Sequence, residues 1–433
     1  MRALVAAVAA LLSGPVFAAP AAAAVPGTGC SVFPANNVWN TDISTLPVSA
    51  NSAAWMAATD ATAGRNLHPD FGPSDDPNAP YGIPFNVVDS SHQKVSVTFQ
   101  YASESDRGPY PLGPDTQIEG GAAASGDRHA LMVDRGSCTL YELYDAHYQA
   151  GGSTAGSGAV FNLNGNGLRP AGWTSADAAG LPIFPGLLRL DEVNSGAVNH
   201  AIRFTVQRSA AAYIWPARHQ AGSGSAAVNP PMGARFRMKA GVSLAGFSPR
   251  AQVIMRAFQH YGVIAADNGS NWYFQGDANN AWPDSLLSEL KGIPAADFEA
   301  VDESSVMLDP NSAQARQSGS GAGLPVIPPA PPPPPQVAPP AAAAATQPAT
   351  VAGQASSDPA APAADQGAAV SPGASAGLAA PQIAHRRAPA TVAAAALAPA
   401  TPAWRSPLAI ALGCALLAGL LALFLGRGHL TPP

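Results

Sequence analysis

Residues 129–145 read "HALMVDRGSCTLYELYD", two short apolar segments separated by arginine, glycine, serine and cysteine. Residues two apart in a strand point to the same face, so His129 shares a face with Leu131 and Val133. Glycine and serine between two such segments are typical of a turn. The stretch therefore predicts two consecutive strands, the first of which carries a core-facing histidine.

Short apolar segments separated by Gly, Pro, Asn or Ser recur on both sides of this stretch. The clearest, "VSVTFQYA" at 95–102, alternates apolar and polar residues as a half-buried strand does. Further strands are expected at 129–134, 139–145, 158–163, 198–206, 212–217 and 235–240. The pattern predicts a mainly-β fold, an antiparallel β-sandwich or barrel-like core with a few appended helices, with α+β as the alternative.

Three helices and one hairpin are expected among these strands. The segment 248–262 opens with Ser248 as a cap and Pro249 in the first turn, and an apolar face follows. Shorter helices are expected at 174–180 and 283–292. Asn268-Gly269 stands between two apolar runs, which predicts a hairpin turn.

Both ends of the chain have compositions unlike that of the middle. Residues 1–24 combine one positive charge, an apolar run and small residues, which predicts a signal peptide cleaved after Ala18 or after Ala24; an N-terminal membrane anchor is the alternative. Residues 407–426 carry no charge and have about the ~20 residues that a transmembrane helix needs. A processed C-terminal sorting signal would have a similar pattern.

Between these ends lie one expected globular domain, 27–310, and a stalk. Residues 317–406 are dominated by Pro and Ala, a composition too poor in apolar bulk to fold. The chain is therefore expected to be exported, at the cell surface or in the periplasm, and anchored in the membrane by its C-terminal helix. Two cysteines of the domain, Cys30 and Cys138, are expected to pair in that oxidising environment, with two buried free thiols as the alternative.

The charge pattern and the motifs exclude several classes of function. The formal net charge is −6 and no basic stripe is present, so nucleic acid is not expected as a partner. The sequence lacks a Walker loop, HExxH, G-x-S-x-G, paired CxxC and a Rossmann loop. No cofactor and no metal is predicted, because the histidines show no diagnostic ligand spacing.

Acidic residues near strand ends are the main catalytic candidates, because glycoside hydrolysis needs two carboxyl groups across a sugar. The candidate acids are Glu104, Asp106, Glu119, Asp191 and Glu192, with His129 and His200 as acid, base or orienting groups. Glu119 stands out because Gly120 and Gly121 follow it and would let a ligand approach closely. The alternative is that these acids are solvated loop residues or arginine partners.

Candidates for substrate binding come from aromatic and polar residues, since aromatic rings stack on sugar rings. These candidates are His68, Arg128, Trp173, Trp215 and His219. Core packing is the alternative for the tryptophans, and hydrogen bonding within the core is the alternative for the histidines.

A series of longer motifs stands in order between roughly residues 30 and 307. They are "LHPDFG", "ESDRGPYP", "IEGG", "GDRHALMVD", "LRPAGWTSADAAGLPI", "WPARH", "PPMGARFRMKA" and "ADNGSNW". In these motifs the chain resembles a widespread family of secreted bacterial proteins for which no reaction or active site is established. The resemblance implies one exported unit and assigns no functional residue.

Together these patterns favour an exported, membrane-tethered protein that acts on extracellular polysaccharide, as a glycoside hydrolase with paired carboxylates. One alternative is a non-catalytic surface module that binds glycan or another cell-surface ligand. A peptidase or another hydrolase of unfamiliar type is a further alternative.

Overall fold

The computed structural model of the chain describes residues 23–317. These residues belong to the first of two compact units, 1–339, and the second unit, 340–433, lies wholly outside the described part. The expected stalk and membrane helix, and almost all of the expected signal peptide, also lie outside the described residues. Within 23–317 no helix is both long enough and apolar enough to cross a membrane.

Twelve strands, four α-helices and five three-residue 3-10 helices make up the regular structure of residues 23–317. The strands are His68–Asp70 (β1), Phe85–Val88 (β2), Val97–Phe99 (β3), Ala130–Asp134 (β4), Thr139–Tyr144 (β5), Ser153–Ala155 (β6), Ser157–Asn162 (β7), Ile202–Val206 (β8), Arg235–Met238 (β9), Val263–Asn268 (β10), Tyr273–Gln275 (β11) and Phe298–Ala300 (β12). The α-helices are Ser52–Ala58 (α1), Leu190–Ser195 (α2), Pro249–His260 (α3) and Asp284–Leu290 (α4). The expected mainly-β class with a few appended helices is confirmed.

The strands form three sheets. The large sheet has the order β1-β11-β8-β10-β9-β12, the medium sheet β2-β4-β5-β7 and the small sheet β3-β6. The sheets are mixed rather than purely antiparallel, because β1–β11, β8–β10, β2–β4 and β3–β6 pair in parallel. Long connections between these strands allow parallel pairing, which a short hairpin cannot provide.

Three apolar clusters hold the sheets together. The first covers the outer face of the large sheet, where Phe274 packs edge-on against Phe258 of α3. The second lies between the large and medium sheets and contains Leu131 of β4 and Ile264 of β10. The third covers the other face of the medium sheet, where Met132 belongs to a cluster shared with the small sheet. The two larger sheets therefore form a sandwich with helices on its outer side.

The two stronger helix predictions are confirmed. In α3 the Ser248 hydroxyl accepts a hydrogen bond from the Ala251 N–H, and Pro249 occupies the first turn. This cap supplies an acceptor to one of the amide groups that a helix leaves unpaired at its start. The helix expected at 283–292 is present as α4.

Two local predictions are wrong. Residues 174–180 form no helix, because Ser175 and Asp177 bond to each other and Asp177 also pairs with the buried Arg203. Residues 212–217 form no strand and contribute only an isolated bridge between Tyr213 and Met232. In both segments tertiary contacts override the local pattern.

The hairpin expected at Asn268-Gly269 is also wrong. Strands β10 and β11 do not pair with each other, since both pair with β8, on its opposite sides. The connecting loop passes the end of β8 and bonds to it: the Gly269 N–H donates to the Val206 carbonyl and the Thr205 hydroxyl donates to the Ser270 carbonyl. A central strand is therefore inserted where the local signal indicates a two-strand turn.

The expected disulfide is present and joins Cys30 to Cys138 across a sequence separation of 108 residues. A cross-link that closes so long a loop restricts the unfolded chain strongly. We expect the Cys30→Ala/Cys138→Ala variant to lose about 4 kcal/mol of unfolding free energy, measured by urea titration. Wild type under reducing conditions is the matched control, since it keeps both side chains, and a loss below about 1 kcal/mol in both samples would contradict the expectation.

Candidate active site: a carboxylate cleft between the sheets

The inner face of the large sheet carries polar side chains where a sandwich usually buries apolar ones. Pairing places Asp70 of β1 beside Gln275 of β11, whose side chain partly offsets the increase that burial causes in the pKa of Asp70. On β8, Arg203 pairs in register with Ile264, whose side chain lies in the apolar cluster between the sheets. Asp70, Gln275 and Arg203 therefore face the medium sheet.

A β-bulge adds a further carboxylate to this face. In β10, Ala265 pairs with Phe204 and Asp267 pairs with Thr205, so Ala266 is an extra residue. Without the bulge, Asp267 would share the face of Ala265, which belongs to the outer apolar cluster. The extra residue turns Asp267 towards Arg203, and their side chains approach to 3.9 Å.

The segment that leads into β4 of the medium sheet supplies a second wall through Glu119 and His129. The imidazole Nδ1 of His129 donates to Glu119 Oε2 at 2.6 Å, and its Nε2 lies 3.1 Å from the carbonyl oxygen of Ala176. The expectation that His129 faces the core is met, as the residue is 4 % exposed. Glu119 keeps 29 % of its side chain exposed, so the pair has one buried and one open member.

The loop between Glu119 and His129 is held in place by Arg128. Its buried guanidinium donates hydrogen bonds to the carbonyl oxygens of Ala122, Ala124 and Ala146. Gly120 and Gly121 have positive φ angles, which explains why glycines follow Glu119. Arg128, a candidate for substrate binding, therefore orders the loop that carries Glu119.

Glu119 and His129 stabilise each other's charged forms. Burial alone would lower the pKa of His129, but the carboxylates of Glu119 and Asp127 raise it to about 9. Burial alone would raise the pKa of Glu119, but the charge and the hydrogen bonds of His129 lower it. At neutral pH the pair is an imidazolium beside a carboxylate.

Asp267 and Asp70, on the large sheet, have raised pKa values, in contrast to the lowered pKa of Glu119. Burial and the nearby Asp177 raise the pKa of Asp267 to about 7, against a partial offset from Arg203. Burial also raises the pKa of Asp70, and the negative charges of Glu119 and Asp127 contribute to that increase. Asp70 therefore interacts electrostatically with Glu119 and Asp127.

We call this group the carboxylate cleft and define it by Asp70, Glu119, Asp127, His129, Arg203, Asp267 and Gln275. Its acids remain in contact with solvent: Asp70 and Asp127 are exposed, and Asp267 keeps 27 % of its side chain accessible. Groups that are both wetted and largely surrounded by protein are typical of a concave site.

Two buried acids, Asp177 and Glu142, hold the residues and segments around the cleft in place. Arg203 donates from Nε and Nη2 to the two carboxylate oxygens of Asp177, at 3.1 and 2.9 Å. Glu142 of β5 accepts hydrogen bonds from the backbone N–H groups of Ile183 and Phe184, while burial raises its pKa to about 7. The Asp177 carboxylate fixes Arg203, and the hydrogen bonds of Glu142 fix the segment at Ile183 and Phe184, which follows Asp177 in the chain.

The Glu119–His129 pair makes stability depend on pH. The folded-state pKa of His129, about 9, exceeds the unfolded value of 6.5, so its stabilisation is complete below 6.5 and disappears as pH rises through 9. Between pH 6 and pH 10 we expect wild type to lose about 3 kcal/mol more unfolding free energy than His129→Gln. Urea titrations of both chains at the two pH values test this, and equal losses would contradict it.

Glu104 and Asp106 lie in a neighbouring network centred on Arg169. Asp106 accepts hydrogen bonds from Arg169 and from the Val160 N–H, and Glu104 accepts one from the Thr174 N–H. The bonds of Asp106 give its carboxylate a structural role. Glu104 keeps 33 % of its side chain exposed.

The candidate binding residues His219 and Trp173 lie beside the same network. His219 Nε2 is 3.8 Å from Glu104 Oε2, and its Nδ1 bonds to the Ala178 carbonyl. The Trp173 ring packs against the Arg169 guanidinium at 5.6 Å. Both side chains are half-buried, next to the segment that carries Asp177.

Asp191, Glu192 and His200 form a separate brace around Arg189. Glu192 is buried between Arg189, at 2.8 Å, and the Nε2 of His200, at 3.1 Å. The other ring nitrogen of His200 bonds to the Ala201 carbonyl. Asp191 is half exposed and 3.4 Å from Arg189. Because Glu192 belongs to α2 and contacts both Arg189 and His200, these contacts anchor α2 to the core.

The two remaining binding candidates have different surroundings. Trp215 is half-buried and donates from Nε1 to the Ser312 carbonyl, which is a packing role. His68 lies on the same strand as Asp70 and stacks on Tyr273, with ring centroids 4.0 Å apart. His68 therefore lies close to the cleft.

Several residues of the site are not among the sequence-derived candidates, namely Asp70, Arg203, Asp267 and Gln275 of the cleft and the supporting Asp177. Two carry a signal that sequence reasoning can use, since Arg203 and Asp267 are charged residues inside apolar strand segments. A charge at such a position is costly unless it is paired. Asp70 and Gln275 have no such signal, because they join the cleft only through strand pairing.

No group of three or more His, Cys, Asp or Glu within residues 23–317 has the geometry to hold a metal ion. Comparisons of the chain with protein-family models, with curated proteins and with solved structures find no match. The functional conclusion therefore depends on the chemistry of the carboxylate cleft.

Proposed function

We propose that the carboxylate cleft hydrolyses glycosidic bonds of an extracellular polysaccharide. One observation supports this above all: Glu119 and Asp267, two partly exposed carboxyl groups that both interact with Arg203, have pKa values displaced in opposite directions. Glycoside hydrolysis uses such a pair, one carboxyl protonated as general acid and one ionised as nucleophile or base.

The proposed roles follow from these protonation states. Asp267 donates its proton to the leaving glycosidic oxygen as the bond from the anomeric carbon breaks. Glu119 either takes a proton from the attacking water, or attacks the anomeric carbon itself. In the second case Asp267, now ionised, takes a proton from a water that displaces Glu119 from the sugar, so that in both cases water adds across the broken bond. Asp70 and Asp127 add negative charge near the cationic transition state. His129 positions Glu119 and keeps it ionised.

The Glu119–His129 contact also bears on the alternative of a peptidase. A serine–histidine–acid mechanism needs a histidine nitrogen that can take a proton from the nucleophile. In His129 both ring nitrogens already have partners, Glu119 and the Ala176 carbonyl, and the ring is buried. The contact therefore favours a positioning role over general-base catalysis.

Tryptophan burial bears on the alternative of a glycan-binding module. Binding platforms use exposed, flat aromatic surfaces, whereas Trp39, Trp272 and Trp282 are at most 2 % exposed. The hydrolase remains the better-supported proposal. Export and membrane anchoring, expected from the chain ends, would place the cleft on a stalk outside the membrane.

The test is the release of reducing ends by the full chain from a panel of neutral and acidic polysaccharides. We expect wild type to release them from at least one polymer and Asp267→Asn to be strongly impaired on that polymer. Asp191→Asn is the matched control, since it removes a half-exposed carboxyl from the Arg189 brace, and it should retain activity. Loss of activity in Asp191→Asn with full activity in Asp267→Asn would move the site to α2.

A further inference from the structure

A concavity of about 500 Å³ opens beside β1, next to the carboxylate cleft. We call it the β1 hollow and define it by Asp60, Arg65, His68, Tyr273 and Lys291. It does not coincide with the cleft, whose nearest member on the same strand is Asp70.

The β1 hollow and the cleft share one sheet face. His68 and Asp70 are two residues apart on β1, with the buried Pro69 between them pointing to the other side. Their partners on β11, Tyr273 and Gln275, are likewise two residues apart. Two residues of strand span about 7 Å, a distance of the order of one sugar unit. A chain bound in the cleft would therefore place an adjacent sugar in the hollow.

The hollow offers an aromatic surface. The rings of His68 and Tyr273 stack nearly parallel, with an interplanar angle of 15° and 4.0 Å between centroids. Both residues are only half-buried. A sugar ring can pack its C–H groups against such a surface.

The hollow also carries two cationic side chains, Arg65 and Lys291, against one acid, Asp60, in contrast to the cleft. The ammonium group of Lys291 forms no hydrogen bond or ion pair with any residue of the described chain. Arg65 has only a loose contact with Asp60, at 3.9 Å between two half-exposed side chains. An ion pair of this kind contributes little stability, so the guanidinium remains available. Burial is the main cause that lowers the pKa of His68. The positive charges of Lys291 and Arg65 lower it further, so both act on this residue.

We infer that the β1 hollow is a subsite for an anionic sugar residue, with the His68–Tyr273 surface packing the ring and Lys291 and Arg65 binding the anion. The anion would be a uronate carboxylate or a phosphate or sulfate substituent. This inference rests on the proposed function, since it identifies the hollow's occupant as part of the cleft's substrate. The acids of the cleft repel an anion, so the substrate carries its charge beside the cleaved unit and not on it.

Binding can be tested separately from hydrolysis. Saturation-transfer NMR on the full chain would compare glucuronate and glucose 6-phosphate with glucose, for wild type, Lys291→Gln, Arg65→Gln and Lys239→Gln. Lys239 is an exposed lysine whose ammonium group bonds only to the Ala296 carbonyl among the described residues, which makes it a matched control. All four chains should give the same circular dichroism, as the exchanged side chains are exposed.

We expect wild type and Lys239→Gln to bind at least one anionic sugar, and Lys291→Gln and Arg65→Gln to bind it about tenfold more weakly or worse. Binding of glucuronate would identify the anion as a uronate carboxylate, and binding of glucose 6-phosphate would identify it as a phosphate substituent. Equal binding of glucose, equal binding by all variants, or no binding of any sugar would overturn the inference. Anionic-sugar binding without hydrolysis of any polymer would remove the proposed function and leave the binding site in place.

Discussion

Glu119→Gln is expected to lower kcat for polysaccharide hydrolysis by about 10³-fold, the contribution of a well-placed acid–base group. The amide keeps the size of the side chain and an oxygen that can accept the hydrogen bond of His129. It cannot attack an anomeric carbon or take a proton from water. Initial rates of reducing-end release, measured with the full chain at saturating substrate, give the ratio directly.

Glu299→Gln is the matched control for this variant. Glu299 lies outside the cleft and pairs with Arg237 at 2.9 Å, so its loss should leave kcat within about twofold of wild type. Glu119→Gln should also lower the pKa of His129, because the main group that raises it is gone. Unchanged kcat in a correctly folded Glu119→Gln would remove Glu119 from the mechanism.

Arg203→Met is expected to reduce the free energy of unfolding by about 3 to 5 kcal/mol. Arg203 is buried, and the variant leaves the buried Asp177 carboxylate without its bidentate partner. An unpaired charge in the interior must either remain desolvated or take up a proton. Urea titration at neutral pH measures the loss.

The double variant Arg203→Met/Asp177→Asn provides the control. It removes the unpaired charge together with its former partner, so it should recover a large part of the stability lost in Arg203→Met. In Arg203→Met alone, Asp267 loses a positive charge that lowers its pKa, so that pKa should rise further; in the double variant the Asp177 charge that raises it is removed too, and the pKa should fall back. A loss below about 1 kcal/mol in Arg203→Met alone would mean that Asp177 is already neutral in the folded protein.

Local patterns in the sequence are sufficient to predict several features of the fold. Alternation in "HALMVD" predicts strand β4 and the burial of His129, and both are observed. Ser248 and Pro249 mark the start of α3 because capping depends on neighbouring residues alone. The pairing of Cys30 with Cys138 follows from their number and the expected compartment.

Features that depend on long-range pairing could not be predicted. The Asn-Gly signal at 268–269 is local, whereas the insertion of β8 between β10 and β11 depends on residues more than 50 positions away. The cleft is assembled from β1, β8, β10, β11 and the loop before β4. Only Glu119, Asp127 and His129 are close in sequence, which is why sequence reasoning reached that wall and missed Asp70 and Asp267.

The dependence of kcat/KM on pH tests the central claim most directly, because it reports the ionisation of the free enzyme's acid and base. Glu119 must be ionised, and its pKa lies below the usual 4.5, so the rate should be lost only below that pH. Asp267 must be protonated, so the rate should fall as pH rises through about 7. The account predicts a bell-shaped profile with its maximum between these limits; a rate that rises through pH 7 to an alkaline plateau would contradict it.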